Sequence, residues 1–308
     1  MGPPGVGIGA VRTRQYRGQV PELPEVETVR RQLEPLVVGA TVTGALAHPS
    51  PKFADATRVT GHRIDTVGRR GKYLLFGLTP ATRGPAPARV SAGAEHELVV
   101  HLGMTGGLHV DPAPAAESSP PSTAPDPYER ASWVLDDGRR LWFRDVRRFG
   151  RIAVVPAGHH QSLPTLQHLG PEPFDPGLDP ASFHRSLQAS RRRIKTQLLS
   201  QRPIAGVGNI YADEALWRAS IHPGARRVGR ERSGRLLGHL RDVLAESLDH
   251  GGTTLRDYRT PDGAPGRNQR RLDCYGRGGR PCRRCGSTLV ARVLDQRTTT
   301  WCPACQRN

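Results

Sequence analysis

The sequence predicts an α+β chain of several domains: an N-terminal β-sandwich with flanking helices, a helical middle, and a small cysteine-rich ribbon at the C-terminus. Three observations predict it. Short strand-like runs fill residues 41–155, each bounded by Gly, Pro or polar turns, which is the spacing of a sandwich. Apolar residues at helical spacing then take over, clearest at Leu236, Leu237, Leu240, Val243, Leu244 and Leu248. All five cysteines lie at or beyond Cys274.

A chain of 308 residues has room for two domains and an appendage. Its net charge of +17 and pI of about 10.9 point to a polyanionic partner, with nucleic acid first. An anionic membrane surface also fits the charge, but no run of about 18 apolar residues is present to span one. Almost all of the positive charge is arginine; Lys52, Lys72 and Lys195 are the only lysines. Arginine stays protonated in proteins, whereas lysine can shift its pKa and exchange protons. Those three positions are therefore singled out.

Residues 1–20 hold Gly, Arg and Pro without apolar periodicity and read as a disordered leader. Their small-residue run Gly5 to Val11 precedes Arg12, Arg14 and Arg17, the reverse of secretory order. The chain is read as cytoplasmic. Next comes Pro21-Glu22-Leu23-Pro24-Glu25-Val26-Glu27. Pro24 fits the first helical position, where no N–H is needed. Val26, Val29, Leu33 and Leu36 form an apolar face that stops near Gly39. Carboxylates in the first turn complement the helix dipole. Taken alone, this is an ordinary acidic helix start.

The expected strands are Thr41–His48, His62–Val67, Lys72–Leu78, Leu98–Leu102, Ser132–Leu135, Leu141–Phe143 and Arg151–Val155. Asp136-Asp137-Gly138 reads as a hairpin turn. Residues 80–96 and the low-complexity stretch 111–126 read as surface loops. The expected divisions are a leader at 1–20, the sandwich at 21–155, a linker at 156–172, a helical domain at 173–270 and the ribbon at 271–308. The Leu236–Leu248 helix ends at His250-Gly251-Gly252, and 259–270 reads as a loop.

The pattern Cys282-x2-Cys285-x16-Cys302-x2-Cys305 has four-cysteine zinc spacing. One structural Zn²⁺ would hold together a segment too small for a core of its own. Cys274 is left over. Residues 270–308 hold nine arginines against two aspartates, and a basic ribbon suits phosphate contact. The glycine-rich turn Ile204–Ala212 lies between helical IKTQLLSQ and DEALWRA; its glycines let backbone N–H groups approach a phosphate. Alone, such a turn is helix termination, and Lys72 in Gly71-Lys72-Tyr73-Leu74-Leu75 is a strand-edge lysine.

Together, these strings resemble the bacterial formamidopyrimidine-DNA glycosylase family. The likeness is carried by PELPEVETVRR at 21–31, by Gly71–Leu75, and by His101-Leu102-Gly103-Met104-Thr105-Gly106. It continues through Asp145-Val146-Arg147-Arg148-Phe149-Gly150, Ile204–Ala212, and the run Gln296–Cys302. It covers Pro21 to about Arg307. The resemblance implies a helix-two-turn-helix domain between sandwich and zinc ribbon. It also implies a monomeric bifunctional DNA glycosylase/AP lyase of base excision repair, acting on oxidised purines (8-oxoguanine and formamidopyrimidines) in double-stranded DNA. The implied nucleophile is the amine of Pro21, exposed as the first residue, with Glu22 as general acid/base. Lys72 and Arg297 would assist elimination, and Glu25 would orient the lesion. Met104, Arg147 and Phe149 would fill the gap left by the flipped base, Asn209 would hold phosphate, and Lys195 would belong to the lesion- and DNA-binding set.

The twenty residues ahead of Pro21 stand out against that mechanism. Val20 occupies the place of an initiator Met, so translation from a valine codon is one explanation and a cleaved leader is another. The stretch Pro265-Gly266-Arg267-Asn268-Gln269 lacks the aromatic residue often found in the loop that covers the lesion. The family's DNA-binding histidine is absent as well, with Tyr128 or Glu129 in its place. Lesion and opposite-base preference stay open. Two alternatives stand beside the main reading: an endonuclease VIII-type enzyme for oxidised pyrimidines, and a non-catalytic DNA- or abasic-site-binding relative if residues 1–20 are retained.

Overall fold

The computed structural model describes residues 20–81, 93–113, 126–256 and 258–307. The leader at 1–19 and the middles of the two expected loops, 82–92 and 114–125, lie outside the described residues. The N-terminal part consists of helix α1 (Leu23–Val37) and strands β1 (Val42–Ala47), β2 (His62–Arg70), β3 (Tyr73–Pro80), β4 (His96–His101), β5 (Gly106–Asp111), β6 (Glu129–Leu135), β7 (Arg140–Asp145) and β8 (Arg151–Pro156), with a 3-10 turn at Ala54–Val59. They form two antiparallel four-stranded sheets, ordered β1-β6-β7-β5 and β2-β3-β4-β8.

Alternation builds the sandwich. In β3, Leu74, Phe76 and Leu78 point inward and are all but fully buried; in β6, Ala131, Trp133 and Leu135 do the same. One core joins these faces to Val26, Val29, Leu33 and Val37 of α1. Leu36, expected on that face, is exposed, and Val37 takes its place. A period of about 3.6 residues from Val26 lands nearer 37 than 36 at the fourth contact. Leu23, not Pro24, is the first helical residue; proline is tolerated one place later because the first turn still has no partner for its N–H. Gly39, at φ +90°, turns the chain out of the helix as expected.

β5 is absent from the expected strands. Its opening Gly106-Gly107 looks like punctuation, yet it pairs with β7 from Gly106↔Asp145 to Asp111↔Arg140. A Cβ on Gly106 would lie 2.0 Å from the Leu102 carbonyl oxygen. Glycine is therefore required by close approach, and the strand signal is lost with the side chain. The linker also holds more than expected: α2 (Pro164–Gln167) packs Leu163 and Leu166 onto the outward side chains Val99, Ala153 and Val155 of the second sheet.

The helical part contains α3 (Pro180–Gln188), α4 (Ile194–Leu199), α5 (Asn209–Arg218) and α6 (Arg230–Asp249), followed by a 3-10 turn at Asn268–Arg271 inside the expected loop. Its core is separate from that of the sandwich, but it takes in Leu23. Leu23 N donates to the Gly206 carbonyl at 3.0 Å, and a Cβ on Gly206 would sit 2.6 Å from the Leu23 side chain. Thus α1 begins in one core and continues in the other.

The C-terminal ribbon is the hairpin β9 (Val290–Leu294) and β10 (Arg297–Trp301). Its two-residue loop, Asp295-Gln296, has φ +45° and +64°, the left-handed pair of a type I′ turn. Buried Glu214 of α5 ties the ribbon to the helices. Its carboxylate accepts N–H bonds from Asp273 (2.9 Å), Cys274 (2.9 Å) and Tyr275 (2.7 Å). An amide offers only one acceptor oxygen in place of two, so Glu214→Gln leaves a buried N–H unmet. The expected cost is about 1–3 kcal/mol, read as a lowered denaturant midpoint with an unchanged slope.

Candidate active site

Glu22 caps α1 where the sandwich meets the helical domain. Its side chain crosses that junction. Oε2 accepts the Gly208 N–H at 2.6 Å and Oε1 that of Ile210 at 2.9 Å. The glycine-rich turn therefore aims its N–H groups at a carboxylate of the protein itself. Lys72, buried in the tight turn between β2 and β3, shares the pocket. A Cβ on Gly208 would come within 2.3 Å of Glu22 Cδ and 2.6 Å of Lys72 Nζ, so glycine is needed there.

Burial raises the Glu22 pKa to about 7, against the opposing pull of Lys72. Burial lowers that of Lys72, opposed by Glu22 and Glu25 and reinforced by Arg297. An acid moved up and an amine moved down are both shifted toward the protonation state that suits proton exchange. Pro21, next to Glu22 in sequence, is buried and, in this chain, follows Val20.

Glu25 lies one turn further on, fully buried. Its Oε1 accepts Tyr211 Oη (2.6 Å) and Thr253 N (2.7 Å); its Oε2 accepts Glu22 N (2.8 Å). Tyr211 Oη also lies 2.5 Å from Ser247 Oγ. Desolvation raises the Glu25 pKa. Ser247 and Thr253 are site residues that sequence reasoning misses. Tyr211, inside the Ile204–Ala212 turn, is a third, and a fourth is His101, at the head of the His101–Gly106 string. It faces Tyr73 with ring centroids 4.7 Å apart, and its pKa falls to about 4 through burial first and Lys72 second. It is a neutral imidazole at working pH.

Met104, Arg147 and Phe149 come from two loops that act as one piece. Asp145, fully buried, accepts Thr105 Oγ1 (2.6 Å) through Oδ1 and Gly150 N (2.7 Å) through Oδ2. Thr105 Oγ1 in turn accepts Arg147 N at 3.0 Å. Gly103, at φ +70°, lies so close to the Phe149–Gly150 backbone that a Cβ would be 2.4 Å from Gly150 N. The Arg147 guanidinium stacks over the Phe149 ring at 4.7 Å, and Phe149 is 49% exposed. A solvent-facing aromatic with a cation over it is suited to an unstacked duplex.

Arg297 is exposed at the start of β10, just past the hairpin turn. Asn209 Nδ2 donates to the Thr298 carbonyl at 3.0 Å. Lys195, expected to contact DNA, faces inward in this structure. It is 2% exposed, and its Nζ lies 2.6 Å from Asp213 Oδ1 rather than at the surface. The reason is packing: its stem runs between α5 and the hairpin, where its ammonium meets Asp213, Thr298 and Thr299.

The four sulfurs of Cys282, Cys285, Cys302 and Cys305 lie within 4.8 Å of one another. Tetrahedral zinc with Zn–S bonds of about 2.3 Å separates its sulfurs by about 3.8 Å. Trp217 Nε1 and Arg284 N point at Cys282 Sγ, and Cys305 N at Cys302 Sγ, all at 3.4 Å, as thiolates require. The set fits one structural zinc. Cys274 stands apart, its thiol donating to the Thr300 carbonyl at 3.1 Å.

A sandwich, a helical domain with a glycine-rich turn and a four-cysteine finger, joined over a glutamate–lysine pocket, define a class of DNA-repair protein. Three family models match in register: the formamidopyrimidine-DNA glycosylase N-terminal domain at 20–152, its H2TH domain at 169–259, and the zinc finger found in FPG and IleRS at 279–308. A formamidopyrimidine-DNA glycosylase of Thermus thermophilus is 44% identical over 291 residues, covering 93% of this chain and 98% of the relative. That of Deinococcus radiodurans is 41% identical over 292 residues, covering 93% and 97%. The crystal structure of the MutM (Fpg) protein from Thermus thermophilus superposes with a TM-score of 0.79 at 45% identity, covering 93% of this chain and 98% of that one. A Lactococcus lactis Fpg complex with abasic-site DNA gives 0.77 at 30%, covering 93% and 100%. The chain belongs to the formamidopyrimidine-DNA glycosylase family.

The Glu22 shift has a measurable consequence. A folded-state pKa of about 7 against an ordinary 4.5 means that the folded protein holds a proton that the unfolded chain releases. This contribution is full below pH 4.5 and is lost as pH rises through 7. Over that window it amounts to on the order of 3 kcal/mol. Glu22→Gln is expected to flatten the fall in stability between pH 4.5 and 7, measured by denaturant unfolding at each pH, whatever its effect on absolute stability.

Proposed function

We propose that this protein is a bifunctional DNA glycosylase and AP lyase of base excision repair. Its substrates are 8-oxoguanine and formamidopyrimidines in double-stranded DNA. The observation that carries the reading is the buried Glu22–Lys72 pair beside Pro21, accompanied by an exposed Arg147–Phe149 wedge on a strongly basic chain. The relatives' name and the DNA in the Lactococcus lactis complexes, which contain Fapy-dG or an abasic site, support it.

The damaged nucleotide is flipped out of the stack, and Met104, Arg147 and Phe149 occupy its place. Glu25 orients the base. The Pro21 amine attacks C1′ as the bond from C1′ to the base breaks, the base leaving with the bonding pair and gaining the proton the amine loses, and Glu22 protonates the sugar ring oxygen as the ring opens to an iminium ion. Loss of the C2′ proton expels the 3′ phosphate, and a second elimination expels the 5′ phosphate. Lys72 carries protons in these steps. Arg297 and Asn209 hold the flanking phosphates, with Lys195 acting behind them. Cys282, Cys285, Cys302 and Cys305 hold zinc, which fixes the finger and takes no part in the chemistry. The enzyme works as a monomer in the cytoplasm.

An amide nitrogen has no usable lone pair, whereas a free α-amino group has a pKa near ~8 and a useful neutral fraction. The mechanism therefore requires Pro21 as first residue, through initiation at Val20 with loss of the methionine or through removal of the leader.

Borohydride trapping tests this. Protein expressed from the native start region is incubated with an 8-oxoguanine duplex, reduced, and mapped by mass. The expected result is an adduct on a peptide beginning at Pro21, lost in Pro21→Gly. Protein that begins at Met1, binds abasic DNA and gives no adduct would be the non-catalytic relative; better turnover of oxidised pyrimidines would mark the endonuclease VIII type. Arg297→Ala is expected to keep the fold, lower the salt dependence of DNA binding by about one phosphate contact, and slow the second elimination. Unchanged binding and products would make Arg297 structural.

A further inference from the structure

Lys195 and Asp213 form a buried ion pair whose aspartate the chemistry above does not use. Lys195 is 2% exposed and Asp213 1%, with Nζ 2.6 Å from Oδ1. Both partners also hold the backbone of β10. Lys195 Nζ donates to the Thr298 carbonyl (3.1 Å) and to Thr299 Oγ1 (2.9 Å). Asp213 Oδ2 accepts Thr300 N at 2.9 Å. Asn209, one helical turn before Asp213 on α5, adds its Nδ2 to the same Thr298 carbonyl. On the other side of the hairpin turn, Asp295 is held by Arg193 at 2.9 Å and by Thr196 Oγ1. Residues 295 and 298–300 are therefore pinned to α4, α5 and the residue just before α4, and Arg297 rises from between them.

We infer that Asp213, through Lys195, is a positioning residue for Arg297: the pair sets the register of β10 against α5 and so fixes where the finger's guanidinium meets the DNA backbone. A buried ion pair offers little stability over an apolar pair of similar volume, and its attested use is to fix register. Asp213 is turned inward, and Lys195 Nζ is ion-paired with Asp213 and donates to Thr298 and Thr299. Neither group is placed to touch a phosphate. This assignment rests on the glycosylase/lyase reading, in which Arg297 acts in the second elimination.

The test uses the full chain on a duplex with a single abasic site, where β- and δ-elimination products are resolved by size. Asp213→Asn keeps the side-chain shape and an acceptor for Thr300 N but removes the charge facing Lys195. The δ-product rate is expected to fall on the order of ten- to a hundredfold, the scale of a misplaced catalytic group. The β-product rate and zinc content should stay as in the parent. Combined with Arg297→Ala, Asp213→Asn is expected to add no further loss of δ product. Thr299→Val, which removes one Nζ acceptor without touching a charge, should shift the product ratio the same way by less, and it decides the matter if Asp213→Asn does not fold. Equal loss of both products, an unchanged ratio, or a double variant worse than Arg297→Ala alone would each make the pair structural. Parent protein that cleaves nothing would instead overturn the functional reading, and this assignment with it.

Discussion

The structure depends on one hydrogen-bonded contact: the Glu22 carboxylate reaching across from the start of α1 to the N–H groups of Gly208 and Ile210. It satisfies donors at the N-terminus of α5 that would otherwise be orphaned in a buried place. It also brings the first helix of the sandwich and the turn of the helical domain to within hydrogen-bond length. Gly206 and Gly208 are glycines because Leu23, Glu22 and Lys72 occupy the space that their side chains would take. The same contact that closes the domain junction therefore builds the pocket.

Two carboxylates and an amine in that pocket come at an electrostatic cost, which the fold meets in different ways. Glu25 has three donors, from Tyr211, Thr253 and Glu22, and is fixed in position. Glu22 has backbone donors and Lys72, yet its pKa remains near 7. The first arrangement suits a group that holds a substrate, the second a group that exchanges a proton. Nearby His101, held neutral, adds no charge to compete with Lys72.

Much of this is legible in the sequence, for identifiable reasons. The sandwich strands alternate, α6 repeats leucine at helical spacing, and the cysteine pairs have a spacing that little else explains. β5 is hidden because its first two residues are glycines, the first of them required by a neighbouring carbonyl. Leu36 reads as a core residue in place of Val37 because three contacts do not separate periods of about 3.5 and 3.6. Within the site, Glu22 and Lys72 stand in recognisable local strings. Tyr211 and Thr253 do not announce themselves, since they meet Glu25 across separations of 186 and 228 residues, and no linear pattern records that meeting. Lys195 is marked by its rarity as a residue of consequence but not as an inward-facing one, because side-chain direction depends on what packs against α4.

The passage of α1 through both cores has a consequence for how the molecule can be taken apart. Leu23 belongs to the helical core and Val26 to the sandwich core, so the boundary between the halves runs through a single helical turn and not through the linker. A fragment cut at the linker would carry Leu23 bare and leave the α5 turn without its carboxylate. In recombination among relatives, the exchangeable unit is therefore the helical domain together with the first turn of α1.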